Sequence, residues 1–244
     1  MSILHFPKIV ADGLVFYFDG KNPKSYTSPN TYLDDLINKR RMTVYRGSIT
    51  SSDDAIVFAN SDSDFYAAVA MTCAYDPIFI NKPNTSAFVT FYNTARMNPS
   101  APGYFRQTVF GFGFDGSVGG WQFENFPNQT YYQFRYHHDG GSTYGDTINA
   151  GEVALNTWNQ IGYVNNGKDM ITYLNGVETN RIDTSYATAN NPNTTSRLSI
   201  GAAGREDIIY GFIGKISQAM FYTKALSEGE VLQNYNFVRR RYKI

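Results

Sequence analysis

The chain has 244 residues, of which 42% are hydrophobic, 16% aromatic and 17% charged, and its formal net charge is +0. That length allows one large β domain or two small ones, and the many Tyr and Phe residues favour strands. Without a global basic field we expect no nucleic-acid partner. Cys73 is the only cysteine, which rules out an intrachain disulfide, and we expect it to be a buried small apolar residue.

Hydropathy along the chain gives no sign of export or of membrane insertion. Residues 1–13 lack a sustained apolar stretch and include His5, Pro7 and Lys8, which is unlike a signal peptide. No apolar run is long enough to span a bilayer. We therefore expect neither a signal peptide nor a membrane partner.

Short strand-like runs follow one another along the chain and are separated by turn signals such as Asn98-Pro99 and Asp115-Gly116. Many short strands at such spacing are typical of a β-sandwich or a β-barrel. The predicted strands, in chain order, are residues 13–19, 55–58, 65–72, 87–93, 108–114, 120–123, 130–137, 157–165, 170–174, 197–200 and 212–222.

Two of these runs indicate where their faces lie. In residues 130–137, Tyr132, Phe134 and Tyr136 share one side, and polar residues alternate with them on the other. Residues 157–164 are apolar on both sides in places, which predicts an inner strand that is covered on both faces.

Asn175-Gly176 is the strongest turn signal of the sequence. It follows the alternating run 170–174 and precedes Val177. Asn-Gly suits a two-residue hairpin turn because both positions require positive φ. We therefore expect a structural hairpin here and no binding site.

One helix is predicted, at the end of the chain. Ser227 and Glu230 form a capping box, in which Ser227 is the N-cap. Val231, Tyr235 and Val238 then recur near helical spacing. The basic cluster 239–243 either is a solvated helix end that suits the helix dipole or docks on an acidic partner.

Three parts of the sequence resemble a known family, the concanavalin A-like jelly roll in its LamG-like branch. The first is DGLVFYFDGKNPKSY at residues 12–26, and the second is Trp158-Asn159-Gln160-Ile161 with the hairpin at Tyr173-Leu174-Asn175-Gly176-Val177. The third comprises residues 198–201, 211–216 and 221–227, and ends in Asn234-Tyr235. The resemblance implies an all-β jelly-roll β-sandwich of two antiparallel sheets with one short C-terminal helix. In the family the last strand lies beside the first.

The opening run 12–26 looks most like LamG-like domains in virion proteins of large tailed bacteriophages. This resemblance implies a structural virion protein, assembled in the host cytoplasm, that decorates the capsid surface and has the major capsid protein as its partner. A homo-oligomer is also compatible with it. We expect an N-terminal arm at residues 1–11, a sandwich at 12–226 and a helix with a basic tail at 227–244. Ile3, Phe6 and Ile9 are the candidate contacts of a docking arm.

The alternative function is a lectin-like module on a tail fibre or another appendage that binds a host-surface glycan. Its candidate contacts combine rings for sugar stacking with a polar loop. These rings also suit the core of a thick sandwich or a partner interface, where Tyr and Trp are enriched. The candidate residues are Trp121, Tyr131, Tyr132, Tyr136, His138, Asp139 and Tyr144.

No catalytic motif accompanies these residues. Glycosidases use two carboxylates, and hydrolases of this fold place them in a Glu-x-Asp-x-(x)-Glu run, which the sequence lacks. Asp62-Ser63-Asp64 indicates a turn. Adjacent His137 and His138 would point to opposite faces of a strand, which disfavours a shared metal ion. Asp115 and Asp139 are candidate loop ligands for calcium, but no dense acidic loop accompanies them. We expect no enzyme activity, no metal and no cofactor.

Overall fold

The computed structural model describes residues 8–28, 31–60, 68–96, 106–113, 120–136, 146–184, 195–204, 209–242 and 244. These residues form a sandwich of two antiparallel sheets of eight strands each, with one α-helix at the C-terminal end. The all-β jelly-roll prediction is therefore confirmed.

The first sheet has the strand order β14-β13-β12-β7-β16-β5-β4, and β1 also pairs with β16. Pairing of the first strand with the last confirms the expected return of the chain. The eight strands are β1 (Leu14–Asp19), β4 (Thr50–Ser52), β5 (Ala55–Ala59), β7 (Thr85–Asn93), β12 (Trp158–Asn165), β13 (Asp169–Leu174), β14 (Val177–Asp183) and β16 (Ile213–Tyr222).

The second sheet has the strand order β11-β10-β9-β8-β15-β6-β3-β2. A 3-10 helix at Pro77–Phe79 lies between β6 and β7 along the chain. The eight strands are β2 (Tyr32–Asp34), β3 (Arg41–Tyr45), β6 (Ala70–Cys73), β8 (Gln107–Phe112), β9 (Trp121–Asn125), β10 (Tyr131–Tyr136), β11 (Asp146–Glu152) and β15 (Leu198–Ile200).

The main hydrophobic core lies between the two sheets and is rich in aromatic rings. Trp121 of the second sheet stacks on Phe221 of the first with ring centroids 5.6 Å apart, and Phe134 stacks on Tyr163 at 4.1 Å. Such pairs contribute about 0.5–1.5 kcal/mol each beyond their buried area. The rings therefore fix the two sheets against each other.

The predicted hairpin and helix are both confirmed. Asn175 and Gly176 have φ values of 51° and 78°, as a tight turn between β13 and β14 requires. Helix α1 spans Glu228–Tyr242. The Glu230 amide donates to Ser227 Oγ at 3.3 Å and the Ser227 amide donates to Glu230 Oε2 at 2.9 Å, which completes the capping box. Among the described residues, no helix is long and apolar enough to cross a membrane.

Helix α1 covers the outer face of the first sheet. Val231 of the helix packs with Val164, Ile171 and Tyr222 of the sheet and with Leu226 of the preceding loop in a second apolar cluster. The predicted inner strand is also confirmed, because β12 lies between β7 and β13 and is buried along most of its length.

Five observed strands lie outside the predicted runs, although the Asn175-Gly176 hairpin already implied a strand after it. β4 and β14 are polar and almost wholly exposed, so their pairing with β5 and β13 decides their conformation. β2, β3 and β11 are short or mixed in polarity. The predicted strand 65–72 is observed as β6, which begins at Ala70, and residues 61–67 lie outside the described residues.

Two smaller expectations also meet the structure. Cys73 is half-buried rather than fully buried, and burial raises the pKa of its thiol to about 12.

Ile9 packs against the second apolar cluster. The Val10 amide donates to Asn234 Oδ1 of α1 at 2.8 Å, and Tyr222 Oη donates to the Val10 carbonyl at 3.1 Å. This end of the predicted arm therefore contacts the chain's own helix, and the arm's docking on another protein stays a prediction.

Candidate functional site

The outer face of the second sheet, which points away from the core, carries a group of polar and charged side chains. We call Arg106, Gln122, Glu124, Gln133 and Arg135 the Glu124 cluster. On β9 and β10 its members alternate with aromatic residues of the core, so strand periodicity places them on the opposite face. All five are only 0% to 8% exposed. An outer face of this kind is usually in contact with water, so this burial is unusual.

Strand register brings the cluster together around one carboxylate. Gln133 lies directly opposite Glu124 across β10 and β9, and Arg135 lies two residues along, opposite Gln122. Gln133 Nε2 donates to Glu124 Oε1 at 2.8 Å, and Gln122 Nε2 donates to Glu124 Oε2. Arg135 Nε lies 2.7 Å from Oε1, and Arg106 Nη1 donates to Oε2 at 3.0 Å. Oε2 therefore accepts from two donors, whereas Oε1 accepts from Gln133 and forms an ion pair with Arg135.

Two aromatic rings lie over the arginines of the cluster. The Arg106 guanidinium carbon is 4.4 Å from the ring centroid of Tyr210 and 4.8 Å from that of Phe126. The Arg135 guanidinium carbon is 5.4 Å from the Phe126 centroid. Arginine stacks favourably on such faces. The rings and the guanidiniums thus form one layer on this side of the sheet.

Tyr210 adopts a backbone conformation that is uncommon for its residue type. Its φ is 63°, in the left-handed region that favours glycine. The Thr108 amide donates to the Tyr210 carbonyl at 2.8 Å and helps to hold it there. A strained residue of this kind costs about 1–3 kcal/mol and is found most often at functional sites. The strained backbone at Tyr210 therefore makes this face a candidate functional site.

Burying the charges of the Glu124 cluster costs free energy of folding. Burial lowers the pKa of the Arg135 guanidinium, while the Glu124 charge acts in the opposite direction. Placing charges in a dry environment is costly, and a well-packed apolar set of similar volume is often as stable or more so. Chemically, the cluster offers guanidinium and amide donors beside aromatic faces, which are groups that can hydrogen-bond and stack on a polyhydroxylated ligand.

The structure places three of the predicted contact rings inside the sandwich. Trp121, Tyr132 and Tyr136 are at most 2% exposed and belong to the main core. Trp121 Nε1 donates to the Phe79 carbonyl at 2.7 Å, and burial raises the pKa of Tyr132. Rings without accessible faces cannot stack on a sugar in this conformation. These three residues therefore serve in core packing, which was the alternative interpretation of the rings.

The other predicted contacts divide into two groups. Tyr131 is half-buried near the end of β10, and its hydroxyl accepts from Gln129 Nε2 at 2.7 Å. Outside the described residues lie His138, Asp139 and Tyr144, together with Ile3 and Phe6 of the arm and Asp115 of the weighed calcium site. Among the described residues, no group of three or more His, Cys, Asp or Glu side chains could hold a metal ion.

Sequence reasoning missed the Glu124 cluster, although a signal was present. Residues 121–125 read WQFEN and residues 131–136 read YYQFRY, so amide and charged residues alternate with aromatic ones on neighbouring strands. In residues 130–137 this alternation predicts a half-buried strand. Only the structure reveals that the polar face is buried too.

A family model matches residues 80–232 of the chain, and its description is Laminin_G_3, concanavalin A-like lectin/glucanases superfamily. No protein among the curated ones matches.

Several solved structures share the fold. Domain 4 of AbnA, a GH43 extracellular arabinanase from Geobacillus stearothermophilus, in complex with arabinotriose, aligns with a TM-score of 0.63 at 14% identity, over 91% of this chain and 98% of that domain. The binding domain of Paraclostridial Mosquitocidal Protein 1 aligns with a TM-score of 0.64 at 18% identity, over 91% of this chain and 52% of that one.

A third similar structure is that of botulinum neurotoxin type C, whose cell entry is dependent upon interaction with two ganglioside molecules. It aligns with a TM-score of 0.64 at 12% identity, over 92% of this chain and 51% of that one. The chain thus spans nearly the whole arabinanase domain but only about half of the two toxin chains.

Proposed function

The chain belongs to the Laminin_G_3 family of the concanavalin A-like lectin/glucanases superfamily, and from this premise we propose that it is a non-catalytic, lectin-like domain that binds a glycan. The observation that carries the proposal is the Glu124 cluster, in which Arg106, Gln133 and Arg135 keep an exposure of 7% to 8% beside the half-buried ring of Phe126. Hydrogen-bonding groups of fixed geometry beside aromatic faces are what a sugar-binding surface requires.

Three similar proteins support the choice of ligand class. One is a domain in complex with arabinotriose, one is a toxin binding domain, and one interacts with ganglioside molecules. At identities of 12% to 18% these likenesses concern the fold. The ligand of this chain is therefore proposed from its own Glu124 cluster.

A binding role also suits the chemistry of Glu124 better than a catalytic role. A glycosidase needs one carboxylate as proton donor and a second as nucleophile or base. Glu124 Oε2 accepts from Arg106 and Gln122, and Oε1 accepts from Gln133 and forms an ion pair with Arg135. This carboxylate therefore organises the donors around it. We propose that the domain releases no sugar from a polysaccharide.

A glycan array followed by titration calorimetry tests the proposal, with arabinotriose included in the panel. Gln133→Ala removes one donor of the Glu124 cluster and should weaken binding about tenfold or more. Gln218→Ala is the matched control, because Gln218 is an equally buried amide of the first sheet whose Nε2 donates to Tyr17 Oη at 3.1 Å. An equal loss in both variants, or no binding by the wild-type chain, would overturn the proposal. Release of reducing ends would overturn its non-catalytic part.

The proposed location of the domain is a bacteriophage particle, on the capsid surface or on a tail appendage. The run DGLVFYFDGKNPKSY supports this placement through its resemblance to virion domains. Cryo-electron microscopy of the particle tests it, with a chain shortened by residues 1–7 as the comparison. Residues 8–10 are kept because they contact α1. Full occupancy by the shortened chain would exclude the arm as the attachment, and absence of density would exclude the location.

A further inference from the structure

One flank of α1 carries an exposed row of side chains with an ordered charge pattern. Glu228, Leu232, Tyr235 and Arg239, which we call the α1 stripe, lie within a sector of about 60° at helical spacing. Glu228 and Arg239 are exposed, and Leu232 is 45% exposed. The stripe therefore has an acidic end, an apolar centre and a basic end.

The hairpin between β13 and β14 extends the apolar centre of the stripe. A Cβ atom at Gly176 would lie 2.8 Å from Tyr235 Cδ1, so the turn packs directly on this ring. The next residue, Val177, is 65% exposed, the highest exposure among the large hydrophobic side chains of the described residues. Exposed Leu232 and Val177 thus accompany the half-buried ring of Tyr235 at the junction of helix and hairpin.

A groove of about 430 Å³ opens beside the acidic end of the stripe. On its rim, Arg181 pairs with Glu178 and Lys224 pairs with Glu230. Glu228 also lines the groove and forms no ion pair within the described part of the chain. The buried floor of the groove includes Val164, Ile171, Tyr173 and Leu226. A cationic side chain of a partner would therefore find an unpaired carboxylate at the edge of an apolar depression.

We propose that a second copy of this chain covers the stripe, with the two α1 helices antiparallel. Position 228 lies as far before the midpoint of the stripe as position 239 lies after it, and positions 232 and 235 are likewise symmetric about that point. A two-fold axis through the midpoint places each Glu228 opposite Arg239 of the other copy. It places each Leu232 opposite Tyr235 of the other copy.

Self-complementarity is the reason to choose a second copy over another protein. An isologous interface uses the same patch on both subunits, so the patch itself must contain both members of each contact. The α1 stripe does so for charge and for apolar contact. Arg239 of one copy then reaches the groove edge at Glu228 of the other copy.

Sedimentation equilibrium of the full chain at low ionic strength tests the proposal. The wild type should dimerise reversibly, and added salt should weaken the dimer because the ion pairs lie at its periphery. Glu228→Arg and Arg239→Glu each turn two attractions into two repulsions, so each should raise the dissociation constant about tenfold or more. A chain that stays monomeric at every concentration would overturn the proposal.

Two rescue experiments separate dimerisation from loss of folding. An equimolar mixture of the Glu228→Arg and Arg239→Glu chains should form heterodimers, since each mutated position then faces its opposite charge. The double variant E228R/R239E should self-associate again, although both changes oppose the helix dipole. Arg240→Glu is the matched control, because Arg240 is exposed but lies outside the stripe. Failure of both rescues, or an equal effect of the control, would overturn the antiparallel register.

Discussion

The two sheets present opposite kinds of outer face, although both faces are buried. The first sheet is covered by α1 through apolar contacts, among them Val231 on Ile171 and Tyr222. The second sheet buries the Glu124 cluster under Tyr210 and Phe126. Apolar burial stabilises the fold directly, whereas buried charges are costly unless each is paired.

The comparison indicates how this domain divides its tasks. A helix on an apolar face provides stability and leaves its far side free for contacts. Apolar side chains of similar volume would stabilise the second sheet about as well as its buried charges do. The positive φ of Tyr210 above these charges is itself a cost to stability. We therefore assign the structural role to the first sheet and the proposed ligand to the second. Four substitutions test this division.

Glu124→Gln should have the largest effect on stability. It removes the charge that the Arg106 and Arg135 guanidiniums face at 3.0 and 2.7 Å, and breaking a buried pair in this way costs about 3–5 kcal/mol. Urea denaturation measures the loss. Asp54→Asn is the control, because the Asp54 pair with Lys21 is about half exposed and should cost less than about 1 kcal/mol. Similar losses of stability in both variants would mean that the buried ion pairs of Glu124 stabilise the fold no more than an exposed pair does.

Leu226→Ala should cost about 3 kcal/mol, because it leaves a cavity in the apolar cluster beneath α1. Leu226 is 3% exposed. Thermal and urea unfolding should show the loss, while glycan affinity stays unchanged. Ile37→Ala at a 42% exposed site serves as the control and should stay within about 0.5 kcal/mol. A change in glycan affinity would contradict the separation of the two faces.

Arg241→Ala should cost about 2 kcal/mol. Its guanidinium binds buried Asp19 through two contacts of 2.7 and 3.1 Å, which attach the last turn of α1 to β1. Tyr17 Oη donates to Asp19 at 2.9 Å and should still do so in the variant. The loss of stability should therefore be smaller than for a buried carboxylate without any partner. Arg240→Ala, at an exposed site of the same helix, should be near neutral. Equal losses of stability in the Arg241→Ala and Arg240→Ala variants would mean that the contact between Arg241 and Asp19 does not stabilise the fold.

Glu230→Gln should have the smallest effect and should depend on pH. Hydrogen bonding from Lys224 lowers the pKa of the Glu230 carboxyl. A lowered folded-state pKa adds stability above the unfolded-state pKa of about 4.3, and that stability disappears as pH falls through the folded value. The variant should therefore be less stable than the wild type by on the order of 0.5 kcal/mol at pH 7. The difference should shrink as pH falls below about 4.3, and a difference that does not depend on pH would contradict this account.

The predictions from sequence succeeded where a local rule is strong. Asn175-Gly176 requires positive φ at both positions, and Ser227 with Glu230 satisfies a helix start by itself. These features depend on a few adjacent residues, so no distant contact is needed to recognise them. The resemblance of the opening run, the hairpin and the last strand then supplied the order of the sandwich.

The polar strands β4 and β11 were not predicted because their pairing partners, rather than their own residues, determine them. The same limit applies to the candidate site. For Trp121, Tyr132 and Tyr136 the sequence favoured the core or a partner interface and kept a sugar site as the alternative. Their burial in the folded chain decides for the core.

By itself the sequence determined the all-β class, the Asn175-Gly176 hairpin and the terminal helix, because periodicity and turn chemistry are local properties. The family was identified through the resemblance of particular runs. Only the tertiary structure decided which aromatic residues fill the core and which polar residues converge. Arg106, Glu124 and Arg135 are far apart in sequence, yet strand register brings them within hydrogen-bonding distance. Burial is a property of the whole assembly of strands, and no short run of residues encodes it.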